Sequence, residues 1–381
     1  MQLRYRFRLY PNGPQCAALA RAFGCARVVF NDALRIRRDA YERGRPYPLI
    51  GDLSRKVITE AKRTPGRAWL AEVSSVVLQQ SLRDLDAAYS NFFASLRGTR
   101  KGPRTGPPKF RKKTGRQAVR FTRNARFAVT GDGRLRLPKI GDVEVRWSRR
   151  LPSEPSSVTV IKDAAGRYFC SFVVETGDKP LPELDRDDSD TGIDLGLSSY
   201  AVLRGRKIRT PKFFRRAERR LKRAQRKLSR CRKGSSNRRK ARQAVAKVHA
   251  RIADRRRDFI EQETTRVVRE SQAVYLEDLN VKGMAQGFGK SVHDQSWGMF
   301  ARTLEAKCAR YGRTFVKVDR FFPSTRLCSH CGALTGPKGR EGLRIRTWTC
   351  DCGTTHDRDQ NAEYNLRLEG RSIVAEGRPD T

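Results

Sequence analysis

The chain is 381 residues long, room for two or three domains with real cores, and 38% hydrophobic, which excludes a wholly disordered protein. Its 82 lysines and arginines stand against 40 aspartates and glutamates, a net charge of +42 at pH 7 that repels itself unless a polyanion neutralises it. The expected partner is a long nucleic acid, bound in a strongly salt-dependent way.

The first residues, from Met1 to Leu9, alternate and carry charge throughout, so they do not read as a signal peptide. No apolar run approaches the roughly 20 residues of a membrane span. No amphipathic helix pairs its basic face with a strong Trp/Phe/Leu face, so a membrane surface is not expected as a partner. Nine cysteines, four of them crowded between Cys328 and Cys352, suit a reducing compartment with one metal site, hence a cytoplasmic protein.

Leu3, Tyr5, Phe7 and Leu9 share one face of a strand stopped at Pro11-Asn12-Gly13. From about Pro14 to Leu96 the pattern is helical, as in 15–37 and 73–96, where Val77, Leu78, Leu82, Leu85, Tyr89, Phe92, Phe93 and Leu96 recur at three and four. Residues 98–115 form a basic, Gly/Pro-rich connector that includes Lys109, Arg111, Lys112 and Lys113. Strands follow at 119–121, 127–129, 135–137, 143–147, 158–161 and 168–174. One strand, a helical insert, then more strands predicts a small β-barrel into which a helical bundle is inserted.

Residues 185–190, Asp-Arg-Asp-Asp-Ser-Asp, read as an acidic linker. Beyond it the spacing predicts a strand pair at 192–203, a long helical hairpin, a strand at 273–279 and a helix near 296–311. A strand at 314–318, a cysteine-rich module and a last helix from about Gln360 complete an α/β pattern. From Arg215 to Arg257, 20 of 43 residues are Lys or Arg and two are acidic. Ala217, Leu221, Ala224 and Leu228 form one apolar stripe, and Ala241, Val245, Val248 and Ile252 another, with a break at 234–237. The stripes are structural. The basic faces, with Arg219, Arg223, Arg226 and Arg230 on the first arm, are expected to track a phosphate backbone rather than water alone.

Acids on three separated elements stand out. Asp194 lies on a short apolar strand beside Gly196, Glu277 on a second strand, and Asp357 and Asp359 at the start of the last helix. Acids are uncommon in buried strands unless paired or metal-bound. Three on separated elements could gather hard cations such as Mg²⁺, and two such ions suit phosphodiester hydrolysis. The cysteines are more specific: Cys328-x-x-Cys331 and Cys350-x-Cys352, with 18 residues between the pairs, read as a structural Zn²⁺ ribbon. The second knuckle is one residue short, which leaves His356 or Asp351 as a possible substitute ligand. There is no Ser/His/Asp or Cys/His nucleophile arrangement, no Walker A loop and no dinucleotide fingerprint.

These residues carry a family resemblance. Leu9-Tyr10-Pro11-Asn12, Leu78-Gln79-Gln80-Ser81-Leu82, Pro108-Lys109-Phe110-Arg111-Lys112-Lys113, Gly192-Ile193-Asp194-Leu195-Gly196 and Glu277-Asp278-Leu279 belong to it. So do Phe322-Pro323-Ser324-Thr325, Arg346-Thr347-Trp348-Thr349-Cys350 and His356-Asp357-Arg358-Asp359-Gln360-Asn361-Ala362. Over nearly its whole length the chain resembles TnpB, the transposon-encoded RNA-guided DNA endonuclease related to type V CRISPR effectors. The resemblance implies an α+β multidomain protein: a wedge β-barrel (1–13 and 105–184) with a helical recognition lobe (14–104), then an RNase H-like, RuvC-type nuclease (185–321 and 357–381) with an inserted zinc ribbon (322–356). It implies a guide RNA from the transposon end, a double-stranded DNA target recognised beside a short motif, one protein per guide RNA, and a place at the nucleoid. The catalytic acids carry over to Asp194, Glu277 and Asp359, the last chosen over Asp357 because Asp359 and Asn361 make the family's Asp-x-Asn. Glu363 departs from the family's small residue. Two rival functions use the same features: a guided DNA-binding repressor that has lost cleavage, and an RNase H-like transposase that works without RNA.

Overall fold

The computed structural model describes residues 1–177, 180–184, 189–342 and 344–377, which fall into two compact units, Met1–Gly177 and Asp178–Thr381. The expected acidic linker lies largely outside the described residues, at 185–188. Asp190, its last residue, opens a strand instead and accepts from Arg371 Nη2 at 2.9 Å.

In the first unit, strand β1 (Gln2–Tyr10) leads into helix α1 (Gly13–Glu42), short helical segments from α2 (Ile50–Ser54) onward, and helix α3 (Ser75–Leu96). Asn12 does more than stop the strand. Its side chain accepts from Gln15 N while Gln15 Oε1 accepts from Asn12 N, each at 3.0 Å, a capping box that starts α1. After the connector come β2 (Gln117–Thr122), β3 (Ala128–Val129), β4 (Leu135–Leu137), β5 (Gly141–Arg146), β6 (Ser157–Lys162) and β7 (Tyr168–Glu175).

The seven strands form one sheet in the order β2-β6-β7-β1-β5-β4-β3, so β1 is central although it comes first in the chain. Its alternation decides the register: Phe7 and Leu9 go into the core, opposite Cys170 and Tyr168. Among the described residues no ladder joins β2 to β3. The sheet is therefore curled and open, where the strand pattern had predicted a barrel; closure depends on long-range pairing that local alternation does not carry. Trp147 stacks on Phe172 with Phe7 tilted against both, and the same continuous core includes Phe30, Leu34, Leu78 and Leu85 of the helices.

The second unit is built on β8 (Asp190–Leu195), β9 (Ser199–Leu203) and β10 (Arg206–Arg209), then the hairpin of α4 (Phe213–Arg230) and α5 (Ser236–Glu270). Next are β11 (Ala273–Glu277), α6 (Val281–Phe288), α7 (Lys290–Gln295), α8 (Trp297–Tyr311) and β12 (Thr314–Val318). The chain ends its described part with α9 (Gly339–Gly342), the hairpin of β13 (Thr347–Thr349) and β14 (Thr355–Asp357), and α10 (Arg358–Ala375).

Five strands make a mixed sheet in the order β10-β9-β8-β11-β12, antiparallel from β10 to β8 and parallel from β8 to β12. The central strands β8 and β11 are buried along most of their length, as their apolar runs require when helices cover both faces. On one face Ile193, Tyr200, Leu276, Trp297 and Phe300 pack together; on the other Tyr275, Val316 and Val318 meet Leu366 and Ile373 of α10. Two glycines let α10 lie this close. A Cβ on Gly192 would sit 2.2 Å from the Glu363 carbonyl oxygen, and one on Gly370 would sit 2.2 Å from the Tyr275 ring. In the basic hairpin, Leu221 packs on Val248 and Ile252, as the stripes predict. Among the described residues, no helix is long and apolar enough to cross a membrane.

Candidate functional site

Parallel strands β8 and β11 end side by side. Leu276 pairs with Ile193, so Asp194 and Glu277 are the next residues along each strand. The Leu195 amide donates to Glu277 Oε1 at 2.9 Å and fixes that carboxylate beside β8. Asp359 comes from the first turn of α10, which lies against β8 through the Gly192 seat. The Glu363 carboxylate, a departure from the family pattern, is buried and accepts from the Gly192 amide at 2.9 Å. It also faces Arg367 at 3.4 Å. Glu363 thus ties the strand of Asp194 to the helix of Asp359.

Two repulsions run through these acids, Asp359 on Asp194 and Asp194 on Glu277. Burial, then the charge of Asp359, push the Asp194 carboxyl up to about 7, against the pull of Arg358, Arg346 and Lys207. Burial and Asp194 likewise hold Glu277 well above the usual carboxylate range. Asp359 receives Arg346 Nη1 at 3.3 Å and Arg358 Nη2 at 3.4 Å. A cluster of this kind suits cations, because an unpaired buried carboxylate is costly and a bound ion offsets the repulsion. Among the described residues, the group of three or more ligand atoms near enough together to hold one ion is the cysteine set, whose sulfurs lie within 4.8 Å of one another.

Asp357 behaves differently from Asp359. Its Oδ1 accepts from the Asp359 and Gln360 amides, each at 3.0 Å, and its Oδ2 from Lys207 Nζ at 2.9 Å. Although burial acts the other way, Lys207 and the helix amides hold its carboxyl below the usual range. It is the N-cap of α10.

The four cysteine sulfurs come together despite the shortened second knuckle. Cys328 and Cys352 Sγ are 3.8 Å apart, and Cys331 and Cys350 Sγ 3.6 Å, close to the ~3.8 Å edge of a tetrahedron with Zn–S bonds of about 2.3 Å. The donor set therefore fits zinc with four thiolates. His356 stands beside the set: its Nε2 lies 3.0 Å from Cys328 Sγ, with its ring against Trp348. Beside the Thr354 hydroxyl and amide, the Cys352 thiol is held down at about 6. The ribbon is fastened to α10: Asn361 Nδ2 donates to Leu327 O at 2.8 Å, and Asn365 Nδ2 donates to Ser324 O at 2.8 Å. The Ser329 amide donates to Asn361 Oδ1 at 3.0 Å. The asparagine of the Asp-x-Asn motif is thus a clamp on the ribbon.

Arg219, Arg223, Arg226 and Arg230 are exposed and line one concavity with Lys222 and Lys227. Among the described residues none of the four meets a carboxylate within 4 Å. The base of this arm is held by Asp294, a buried acid that sequence reading missed. It accepts from the Phe214 amide at 2.8 Å and from Arg256 Nη2 at 3.0 Å. In the first unit Lys109, Lys112 and Lys113 are exposed. Arg111 is not free: it pairs with Asp84 at 3.1 Å and lies 3.8 Å over the Phe30 ring. Lys207, Arg346 and Arg358 were also missed around the acids. Arg346 could have been found from its place in the Arg-Thr-Trp-Thr-Cys motif.

The chain is similar to known proteins over nearly its whole length. Residues 171–287 match the family model of IS605 OrfB proteins, described as a probable transposase, and 297–366 match that of the Cas12f1-like TNB domain. Residues 1–46 match a helix-turn-helix model of the OrfB group, although in this structure they form β1 and the single helix α1. A protein of Streptomyces pristinaespiralis, named "Putative RNA-guided DNA endonuclease", is 43% identical over 380 residues, 98% of this chain and 90% of that one. InsQ of Escherichia coli (strain K12), which bears the same description, is 30% identical over 392 residues, 98% of this chain and 93% of that one. The cryo-EM structure of a Cas12f1–sgRNA–target DNA complex superposes with a TM-score of 0.53 at 14% identity, covering 91% of this chain and 81% of that one, a likeness of fold alone.

Proposed function

We infer the function from one premise: this chain belongs to the TnpB family, to which the relatives named as RNA-guided DNA endonucleases also belong. It is an RNA-guided DNA endonuclease. In our reading the guide RNA pairs with the target strand and the protein recognises a short motif beside it. The curled sheet with its helices serves as wedge and recognition lobe, and the mixed sheet of the second unit as an RNase H-like nuclease.

One observation carries the chemistry: Asp194, Glu277 and Asp359 come from three separated elements, with Asp359 close enough to raise the Asp194 carboxyl and Asp194 close enough to raise that of Glu277. Asp194, Glu277 and Asp359 would hold two Mg²⁺ ions. Those ions, when bound, supply a water of lowered pKa and neutralise the leaving oxygen. The chain's own part is to aim the carboxylates: the Leu195 amide orients Glu277, Glu363 seats α10 on β8, and Asp357 with Lys207 fixes the first turn of that helix. Arg346 and Arg358 offset the charge on Asp359.

The test is cleavage of a matched DNA target by the protein purified with its guide. Asp194→Ala, Glu277→Ala and Asp359→Ala each lower cutting by at least about 10²–10³-fold while target binding persists. Asp357→Ala loses a helix cap worth about 1 kcal/mol and slows cutting far less. A dead Asp357 variant beside an active Asp359 variant would reverse the assignment. Absence of copurifying RNA, with cutting intact, would favour the transposase reading instead.

A further inference from the structure

We propose that Phe321 is a stacking platform for a nucleobase of the strand being cut, at the lip of the carboxylate site; the proposal rests on the nuclease reading above. Phe321 is 84% exposed, whereas the next most exposed phenylalanine among the described residues, Phe110, is 41% exposed. Its exposure is not a by-product of a loose loop. The Phe321 amide donates to Asp319 Oδ1 at 2.7 Å, and the Phe322 amide donates to Asp319 O at 3.1 Å, closing a turn. Pro323 follows, and Phe322 is the residue that packs against the apolar cluster of Tyr275, Val316, Val318, Leu366 and Ile373. Arg320 Nε donates to Asp278 Oδ2 at 3.1 Å, which pins the turn to the end of β11. The fold already has an aromatic to bury at this point, and it holds a second one out in solvent.

Position gives the exposed ring its partner. Val318 pairs with Glu277 across two parallel strands, and the Asp278 amide donates to Val318 O at 3.1 Å. Both strands therefore end at the carboxylates, and Phe321 is three residues past that point. The Cα path from Val318 is at most about 11 Å, and the strand spacing adds about 5 Å. A nucleic-acid strand stepping roughly 3.4 Å per nucleotide covers that reach within about five nucleotides. A strand that offers its phosphate to buried acids turns its bases outward, and every base has a face that stacks on an aromatic ring. Such stacking tolerates any sequence, which suits a cutter whose target is chosen by base pairing elsewhere. A chain of net charge +42 selects a polyanion over an apolar protein surface for this place.

The protein–guide complex is tested in single-turnover cutting of a matched DNA target in which abasic sites are walked along the strand. Phe321→Ala slows cutting of intact DNA by about 5- to 150-fold, the range expected for one lost base stack. One abasic position near the cut slows the wild type by a similar factor and has no further effect in Phe321→Ala. Phe321→Trp restores cutting to within a few-fold, whereas Phe321→Leu, apolar but without a π face, behaves like alanine. An unchanged rate in Phe321→Ala, full activity in Phe321→Leu, or additive losses at every abasic position would overturn the proposal. If the wild type cuts nothing, the nuclease reading fails, and stacking is read separately. A single-stranded oligodeoxynucleotide carrying 2-aminopurine, bound without divalent metal, is then quenched by the wild type and Phe321→Trp but not by Phe321→Ala. Equal quenching in all three removes the proposal as well.

Discussion

At Asp194 a single carboxyl links proton binding, ion binding and stability. Its folded pKa is raised from 3.8 to about 7 by burial and by Asp359. A group raised in this way adds stability below its unfolded pKa and loses it as pH climbs through the folded value. Protein stripped of divalent ions should therefore lose thermal stability between about pH 4 and 7, where these values apply. Asp194→Asn should flatten that loss, and excess Mg²⁺ should reverse it, since ions bind the deprotonated form. Below about pH 7, Mg²⁺ affinity should fall by up to about tenfold per pH unit for one proton released. Titrations that give one Mg²⁺ affinity across this range would contradict the coupling. The residue identities were legible in sequence because an acid inside an apolar strand is uncommon. Their partners were not. Lys207 is an ordinary member of a basic run and Arg358 stands between two acids, and only the folded chain pairs them with Asp357 and Asp359 respectively.

The ribbon and α10 behave as one element, because Asn361 and Asn365 clasp the loop that ends at Cys328. Cys328→Ser or Cys331→Ser should release zinc and melt the ribbon, since metal binding supplies much of such a module's folding energy. Cutting should fall with it, as the Asp359 end of α10 loses its clasp, while binding of guide RNA should persist. His356→Ala should keep a full equivalent of zinc by elemental analysis, because four thiolates already close the set. Zinc lost in that variant but kept in Cys352→Ser would make the histidine a ligand. Elements with a clean period were readable: β1, α3, the two hairpin arms and β12 fall close to where spacing puts them. The missed ones lack a period. In α6 two glycines, Gly283 and Gly287, interrupt the helix pattern, and β10 is a four-residue strand submerged in arginine and lysine. The shortened cysteine knuckle was unreadable for another reason: sulfur convergence depends on how the ribbon's two halves meet.

At the scale of the molecule the charge has a location. Four arginines of α4 stand exposed, without a carboxylate within reach among the described residues, on one side of a helix braced by Val248 and Ile252. Arg219, Arg223, Arg226 and Arg230, changed together to Gln, remove four charges while helix propensity stays nearly constant. Affinity for guide RNA or heteroduplex should drop, and the slope of log K against log salt should flatten by up to about 0.9 per lost duplex contact, or about 0.7 on single strands. The preference beside the target should not change, because phosphate contacts position without specifying. A folded variant with unaltered affinity and slope would mean that the arm faces water. The same logic separates members of the 109–113 run: Lys109, Lys112 and Lys113 are available to a polyanion, whereas Arg111 is spent on Asp84 and Phe30.

The glycine seat under α10 also sets a clock. Gly192 and Glu363 are 171 positions apart, so a ribosome that has made β8 must work on before the helix that completes the acid cluster exists. At about 5–20 residues per second that interval is roughly ten to thirty seconds. Only in its later part, once Glu277 has been made, does the nascent protein carry its arginine-rich arm together with two of the three acids. The acid cluster therefore stays incomplete through most of translation, until α10 docks on β8.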